Sequence, residues 1–123
     1  MTCILIVEDN TTNMEFTTLL LKKAGYSIVQ AENAHCGLQK ARLKLPDLIL
    51  MDIQLPDMSG LDAVVLLKSA LETQAIPVIA LTALAMKGDE ERCLAAGFDA
   101  YLSKPLRYKE LWTMIKTQLQ ITR

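Results

Sequence analysis

Two rhythms of apolar and polar positions alternate along this chain. Short unbroken apolar runs come first, and each is followed by a longer segment whose apolar residues recur three or four apart. The runs CILIV (3–7), SIVQA (27–31), DLILMD (47–52), IPVIAL (76–81) and DAYL (99–102) predict five strands. Apolar runs without alternation suit strands buried on both faces. The other segments predict five helices: from Asn10 or Thr11 to Ala24, then 34–44, 60–71, 85–95 and 107–120. Asn10 or Thr11 and Asn33 are placed to accept orphan N–H groups as caps, and Gly25, Pro46 and Gly97 stand where helices stop. In the first helix Phe16, Leu20 and Ala24 lie at i, i+4 and i+8 and predict its buried stripe, which leaves Met14 off that stripe and near the helix start.

Strand and helix alternating five times predict an α/β fold, a five-stranded parallel sheet covered by helices on both faces with right-handed crossovers. No linker, repeat or low-complexity tract interrupts the pattern, so residues 1–123 read as one domain. A hydrophobic content of 51% is enough for a real core.

The topology also sorts the chemistry. In an open parallel sheet the crevice lies at the carboxyl ends of the strands. Glu8 and Asp9 follow the first strand, Asp52 ends the third, Thr82 follows the fourth and Lys104 follows the fifth. Three carboxylates, a hydroxyl and an ammonium therefore converge on one rim. Crowded carboxylates repel and call for a cation. Oxygen ligands without a His or Cys cluster select Mg²⁺, and a carboxylate is also a nucleophile toward phosphorus. Asp52 as nucleophile, Glu8 and Asp9 on Mg²⁺, and Thr82 and Lys104 on the phosphoryl oxygens form a complete set for phosphoryl transfer. Taken singly each residue has a plainer use: Asp52 or Glu8-Asp9 as caps, Thr82 as a cap for the next helix, Lys104 as a solvated turn lysine, Tyr101 as a packed edge aromatic. Their joint placement is what favours the chemistry.

Charge and composition narrow the field further. Thirteen basic against 14 acidic residues leave a net charge of −1, which suggests no nucleic-acid surface. No apolar run approaches a membrane span, and the opening MTCILIV lacks the basic start of a signal peptide. Cys3, Cys36 and Cys93 are odd in number and scattered, which suits a reduced cytoplasmic protein.

The tracts ILIVEDN (4–10), PDLILMDIQLPDMSG (46–60), PVIALTA (77–83) and YLSKP (101–105), in this order, resemble the receiver domains of two-component response regulators over the full chain. AMKGDEER (85–92) further resembles stand-alone cell-cycle regulators of the DivK type. The resemblance implies a doubly wound sheet of order 2-1-3-4-5, the order of flavodoxin and the chemotaxis receiver. It implies that Asp52 is the phosphoacceptor, with Asp9 a direct Mg²⁺ ligand, Glu8 a ligand through water and the Gln54 backbone carbonyl a further ligand. Thr82 and Tyr101 match the switch pair, and Lys104 the lysine that precedes a cis proline, Pro105. A histidine kinase or histidine phosphotransfer protein is the implied donor, docking around Asn10, Asn13, Met14, Pro56, Leu84 and Pro105. Met14 has a second reading as an isolated exposed apolar residue. The implied output is a phosphorylation-dependent contact with a target protein over residues 85–95, 99–102 and 107–120, by a monomer or a weak phosphorylation-dependent dimer. Two alternatives stay open and a third is disfavoured. One is a receiver cut from a longer regulator or hybrid kinase. Another is a receiver-like module that takes no phosphate. The third, an aspartyl-nucleophile phosphatase, lacks the second acid it needs at position 54. Gln54 and Leu84 occupy the positions that tune phosphoryl lifetime.

Overall fold

A computed structural model describes residues 1–83 and 88–122, with side chains through Gln120. The elements run β1 (Cys3–Val7), α1 (Thr11–Lys23), β2 (Ser27–Ala31), α2 (Ala34–Lys44), β3 (Leu48–Asp52), α3 (Gly60–Ser69), β4 (Val78–Thr82), α4 (Asp89–Ala96), β5 (Ala100–Ser103) and α5 (Tyr108–Thr122). All strand pairs are parallel and the sheet order is β2-β1-β3-β4-β5. The fold is therefore the flavodoxin-like α/β sheet that the sequence predicts. Leu84 and residues 85–87, the start of the expected fourth helix, lie outside the described residues. No described helix is long and apolar enough to cross a membrane.

Every residue of β3 and of β4 is buried, which explains why these strands read as unbroken apolar runs. Side chains that alternate across the sheet feed two cores. Leu5, Val7, Ile49, Met51, Val78 and Ala80 meet α2, α3 and α4, whereas Ile4, Ile6, Leu48, Leu50, Ile79 and Leu81 meet α1 and α5. Asn10 and Asn33 cap α1 and α2 as expected, accepting the N–H groups of Asn13 and Cys36.

One helix face differs from expectation. The buried residues of α1 are Met14, Thr17 and Leu21, while Phe16 is 51% exposed and Leu20 and Ala24 are only half-buried. The helix is rotated so that a threonine sits mid-stripe, and the i, i+3, i+7 face replaces the i, i+4, i+8 one. Met14 therefore packs in the core with Ile4, Ile6 and Leu50. This corrects its assignment to a docking surface, since a methionine that is 6% exposed has little to offer a partner.

The turn after β3 is built on a close approach. A Cβ at Gly60 would lie 2.5 Å from the Asp52 carbonyl oxygen and 2.7 Å from Ile53 Cα, and Gly60 N–H donates to the Ile53 carbonyl at 2.8 Å. Only glycine lets α3 start this close to the strand end that carries Asp52. Gly60→Ala is expected to cost about 1–3 kcal/mol through overpacking. Denaturant unfolding should show the loss, and an unchanged midpoint would mean that the turn yields freely.

Candidate functional site

β1 delivers Glu8, β3 delivers Asp52, β4 delivers Thr82, and the turn after β5 delivers Lys104 to the same edge of the sheet. Backbone bonds continue the sheet past the strand ends and fix these positions: Glu8 N–H to Ala31, Ile53 N–H to Leu81 and Lys104 N–H to the Thr82 carbonyl. The Lys104–Pro105 peptide is cis, as the resemblance implies.

Lys104 is the hub. Its Nζ donates to Glu8 Oε1 and, at 2.8 Å, to Asp52 Oδ2. The other Asp52 oxygen, Oδ1, accepts the Gln54 N–H at 2.9 Å. Both oxygens of Asp52 are thus oriented, and the residue is only 5% exposed. Glu8 is 3% exposed and Asp9 is exposed. Burial pushes the Glu8 carboxyl above the ordinary range, the neighbouring Asp52 adds to that, and Lys104 offsets only part of it. Burial alone would lower the Lys104 pKa, but the hydrogen bonds and charges of Asp52 and Glu8 together outweigh it and hold it raised.

Glu8, Asp9 and Asp52 each offer a carboxylate oxygen, and these oxygens lie within 4.8 Å of one another. Three carboxylates share the single ammonium of Lys104, so acidic oxygens outnumber the positive charge set against them. A hard dication fits that charge and those oxygen donors.

Thr82 is 1% exposed at the end of β4. Tyr101 pairs with Ala80 and Ser103 with Thr82 in the β4–β5 register. Partners in register share a face and residues two apart do too, so Tyr101 and Thr82 lie on the same side of the sheet. Tyr101 is partly buried there, against the core that includes Ala80 and Cys93, and burial raises its pKa.

Of the expected docking residues, Asn10, Asn13, Pro56 and Pro105 are exposed, Met14 is buried, and Leu84 lies outside the described residues. Asn13 and Pro105 line a hollow of about 420 Å³ beside Glu8 and Lys104, and Phe16 and Leu106 line it with them. Helical spacing alone puts Phe16 in the core, and the rotation of α1 puts it here instead.

Asp57 has a contact that its turn-like sequence hides. Its carboxylate accepts the N–H groups of His35 and Ala34 at the start of α2, and these bonds hold its pKa below the ordinary aspartate range. The only sequence signal was a carboxylate type suited to a helix N-terminus.

The profile of the response regulator receiver domain family matches residues 4–116. The chain is 47% identical over 116 residues to the polar-differentiation response regulator DivK of Brucella anthropi, covering 94% of each. A CheY-like receiver domain protein from Methanospirillum hungatei superposes with a TM-score of 0.91 at 32% identity, over 99% of this chain and 96% of that one. The receiver domain of a sensor histidine kinase from Pseudomonas aeruginosa, with a magnesium ion coordinated in its active site cleft, superposes with a TM-score of 0.90 at 34% identity, over 97% of this chain and 98% of that one.

Proposed function

The chain belongs to the response regulator receiver family and is a module of two-component signalling, and we propose that Asp52 is the residue that accepts the phosphoryl group. The observation that carries this reading is the environment of Asp52, a buried strand-end carboxylate with each oxygen held by a different donor. A histidine kinase or histidine phosphotransfer protein presents a phosphohistidine to the rim. An Asp52 oxygen forms a bond to phosphorus as the phosphorus–nitrogen bond breaks, and the imidazole leaves with the bonding pair. Lys104 already sits 2.8 Å from Asp52 Oδ2, so it needs little movement to share the charge of the phosphoryl oxygens. Asp9, Asp52, Glu8 through water and the Gln54 carbonyl would hold Mg²⁺. When bound, the ion supplies charge neutralisation for the incoming phosphoryl group. The chain promotes its own phosphorylation and dephosphorylation, and it acts in the cytoplasm.

The hollow beside the rim is the proposed seat for the donor. Phe16 and Leu106 supply apolar contact there, and Asn13 and Pro105 form part of its wall. Incubation with acetyl phosphate and Mg²⁺ tests the reaction without a kinase. One phosphoryl group per chain is expected by intact mass, and no gain in mass would overturn the reading.

The signal leaves through Thr82 and Tyr101. Phosphate adds charge and acceptor oxygens, the Thr82 hydroxyl moves to bond one of them, and Tyr101 on the same face takes up the vacated space. The face of α4, β5 and α5 then presents a changed surface to a target protein. Thr82→Ala should keep labelling at Asp52 but lose roughly tenfold of the phosphate-dependent gain in partner affinity, the value of one hydrogen bond to a charged oxygen. Titrating a partner with phosphorylated wild type and variant checks this, and an equal gain in both would break the link between Thr82 and output.

A further inference from the structure

The loop that leaves Asp52 is fastened at its far end to a different element. Both carboxylate oxygens of Asp57 are engaged: Oδ1 accepts the Ala34 N–H and Oδ2 the His35 N–H, each at 2.9 Å. These are the first two amides of α2, 23 and 22 residues away along the chain. A carboxylate bridging two such donors makes charge-assisted bonds at the positive end of the helix. Asn33 caps the same end by accepting the Cys36 N–H at 2.7 Å, and that bond stays within the helix and its own cap. Asn33 therefore serves α2 alone, whereas Asp57 ties α2 to the loop.

The near end of the loop is fixed by other means. Ile53 N–H donates to Leu81, Gly60 N–H returns to the Ile53 carbonyl, and Gln54 N–H donates to Asp52 Oδ1. Leu55 between the two ends and Met58 just past Asp57 are partly buried against the core shared with α2 and α3. A shift of residues 53–59 would move Gln54, and with it the donor that orients Asp52.

We propose that Asp57 is a positioning residue for the reaction at Asp52, clamping residues 53–59 to the first turn of α2 so that the Gln54 N–H and carbonyl stay in place. The part of this inference that concerns Mg²⁺ rests on the function proposed above; the part that concerns the Asp52–Gln54 bond does not. Asp57 touches neither the acceptor oxygen nor the metal oxygens, so its effect is on geometry.

The comparison of Asp57→Ala, Asp57→Asn and Asn33→Ala decides the matter, because all three weaken the start of α2 and only the first two release the loop. Two readouts are taken on each full-length chain: amide hydrogen exchange at Gln54 by NMR without metal, and Mg²⁺ affinity by titration of the metal alone. Asp57→Ala should speed exchange at Gln54 and weaken Mg²⁺ binding roughly tenfold, the low end of what losing an outer-shell support costs. Asp57→Asn keeps one acceptor oxygen and should fall between it and wild type. Asn33→Ala should leave both readouts at wild-type values. Equal changes in Asp57→Ala and Asn33→Ala would reduce Asp57 to a helix cap and overturn the proposal, as would unchanged exchange at Gln54 in Asp57→Ala. Wild-type protein that binds no Mg²⁺ would overturn the proposed metal site, and the exchange comparison would still uphold or overturn the clamp.

Discussion

Asp52→Asn is expected to take no phosphoryl group from acetyl phosphate or from a cognate kinase, while remaining folded. The loss should be complete because an amide oxygen is too weak a nucleophile for phosphorus, and the other buried carboxylate of the rim, Glu8, is the one whose pKa burial raises. The fold should survive because the substitution removes one of two buried carboxylates that share a single lysine. Lys104 keeps its bond to Glu8. The new amide oxygen can serve the Gln54 N–H or Lys104 but not both, so a modest change in Tm is expected. Labelling that persists in the variant at the wild-type level would reject Asp52 as the acceptor.

Lys104→Ala should affect stability and reaction together, for one electrostatic reason. It leaves Glu8 and Asp52 buried side by side without the ammonium that pairs with both. Breaking a buried ion pair from one side costs about 3–5 kcal/mol. The cost depends on pH in a definite sense. The folded protein already binds a proton on Glu8 more tightly than the unfolded chain does, because burial and Asp52 raise its pKa. Stability is therefore lost as pH rises through that raised pKa and recovered as pH falls below it. Removing Lys104 removes the influence that lowers the Glu8 pKa, so the variant's loss should be larger at neutral pH than in mild acid. Mg²⁺ should restore part of the stability, since a dication neutralises the same oxygens, but transfer to Asp52 should stay slow without the ammonium. Urea unfolding at two pH values, with chelator and with Mg²⁺, checks the first claims, and intact mass checks the last. A variant as stable as wild type in chelator at neutral pH would show that the pair contributes little.

Much of this was readable from the order of residues because strand ends in a parallel sheet are places, not only sequences. Glu8, Asp52, Thr82 and Lys104 could be gathered on one rim once five apolar runs were seen to alternate with helices. Which of them touch was not readable. Lys104 and Glu8 are 96 residues apart, and nothing in either tract says that they pair. Spacing does not give the rotation of α1, because Thr17, a polar residue, occupies the centre of the buried stripe, whereas Phe16, the bulkiest apolar residue nearby, faces the hollow beside Pro105. Asp57 stands among turn residues, and its partners, Ala34 and His35, belong to a helix 23 and 22 residues earlier in the chain, so no local pattern announces the contact.

The most direct measurement converts the labelled residue into one that sequencing can read. The chain is phosphorylated with acetyl phosphate and Mg²⁺ and then reduced with borohydride, which turns an aspartyl phosphate into homoserine. The peptides that carry the aspartates, among them the one with Asp9 and the one spanning β3 and the following loop, are then sequenced by tandem mass spectrometry. Homoserine at position 52, and at no other aspartate, is the result expected here. Homoserine at Asp9 or Asp57 with Asp52 intact would contradict the assignment of the acceptor on which the account rests.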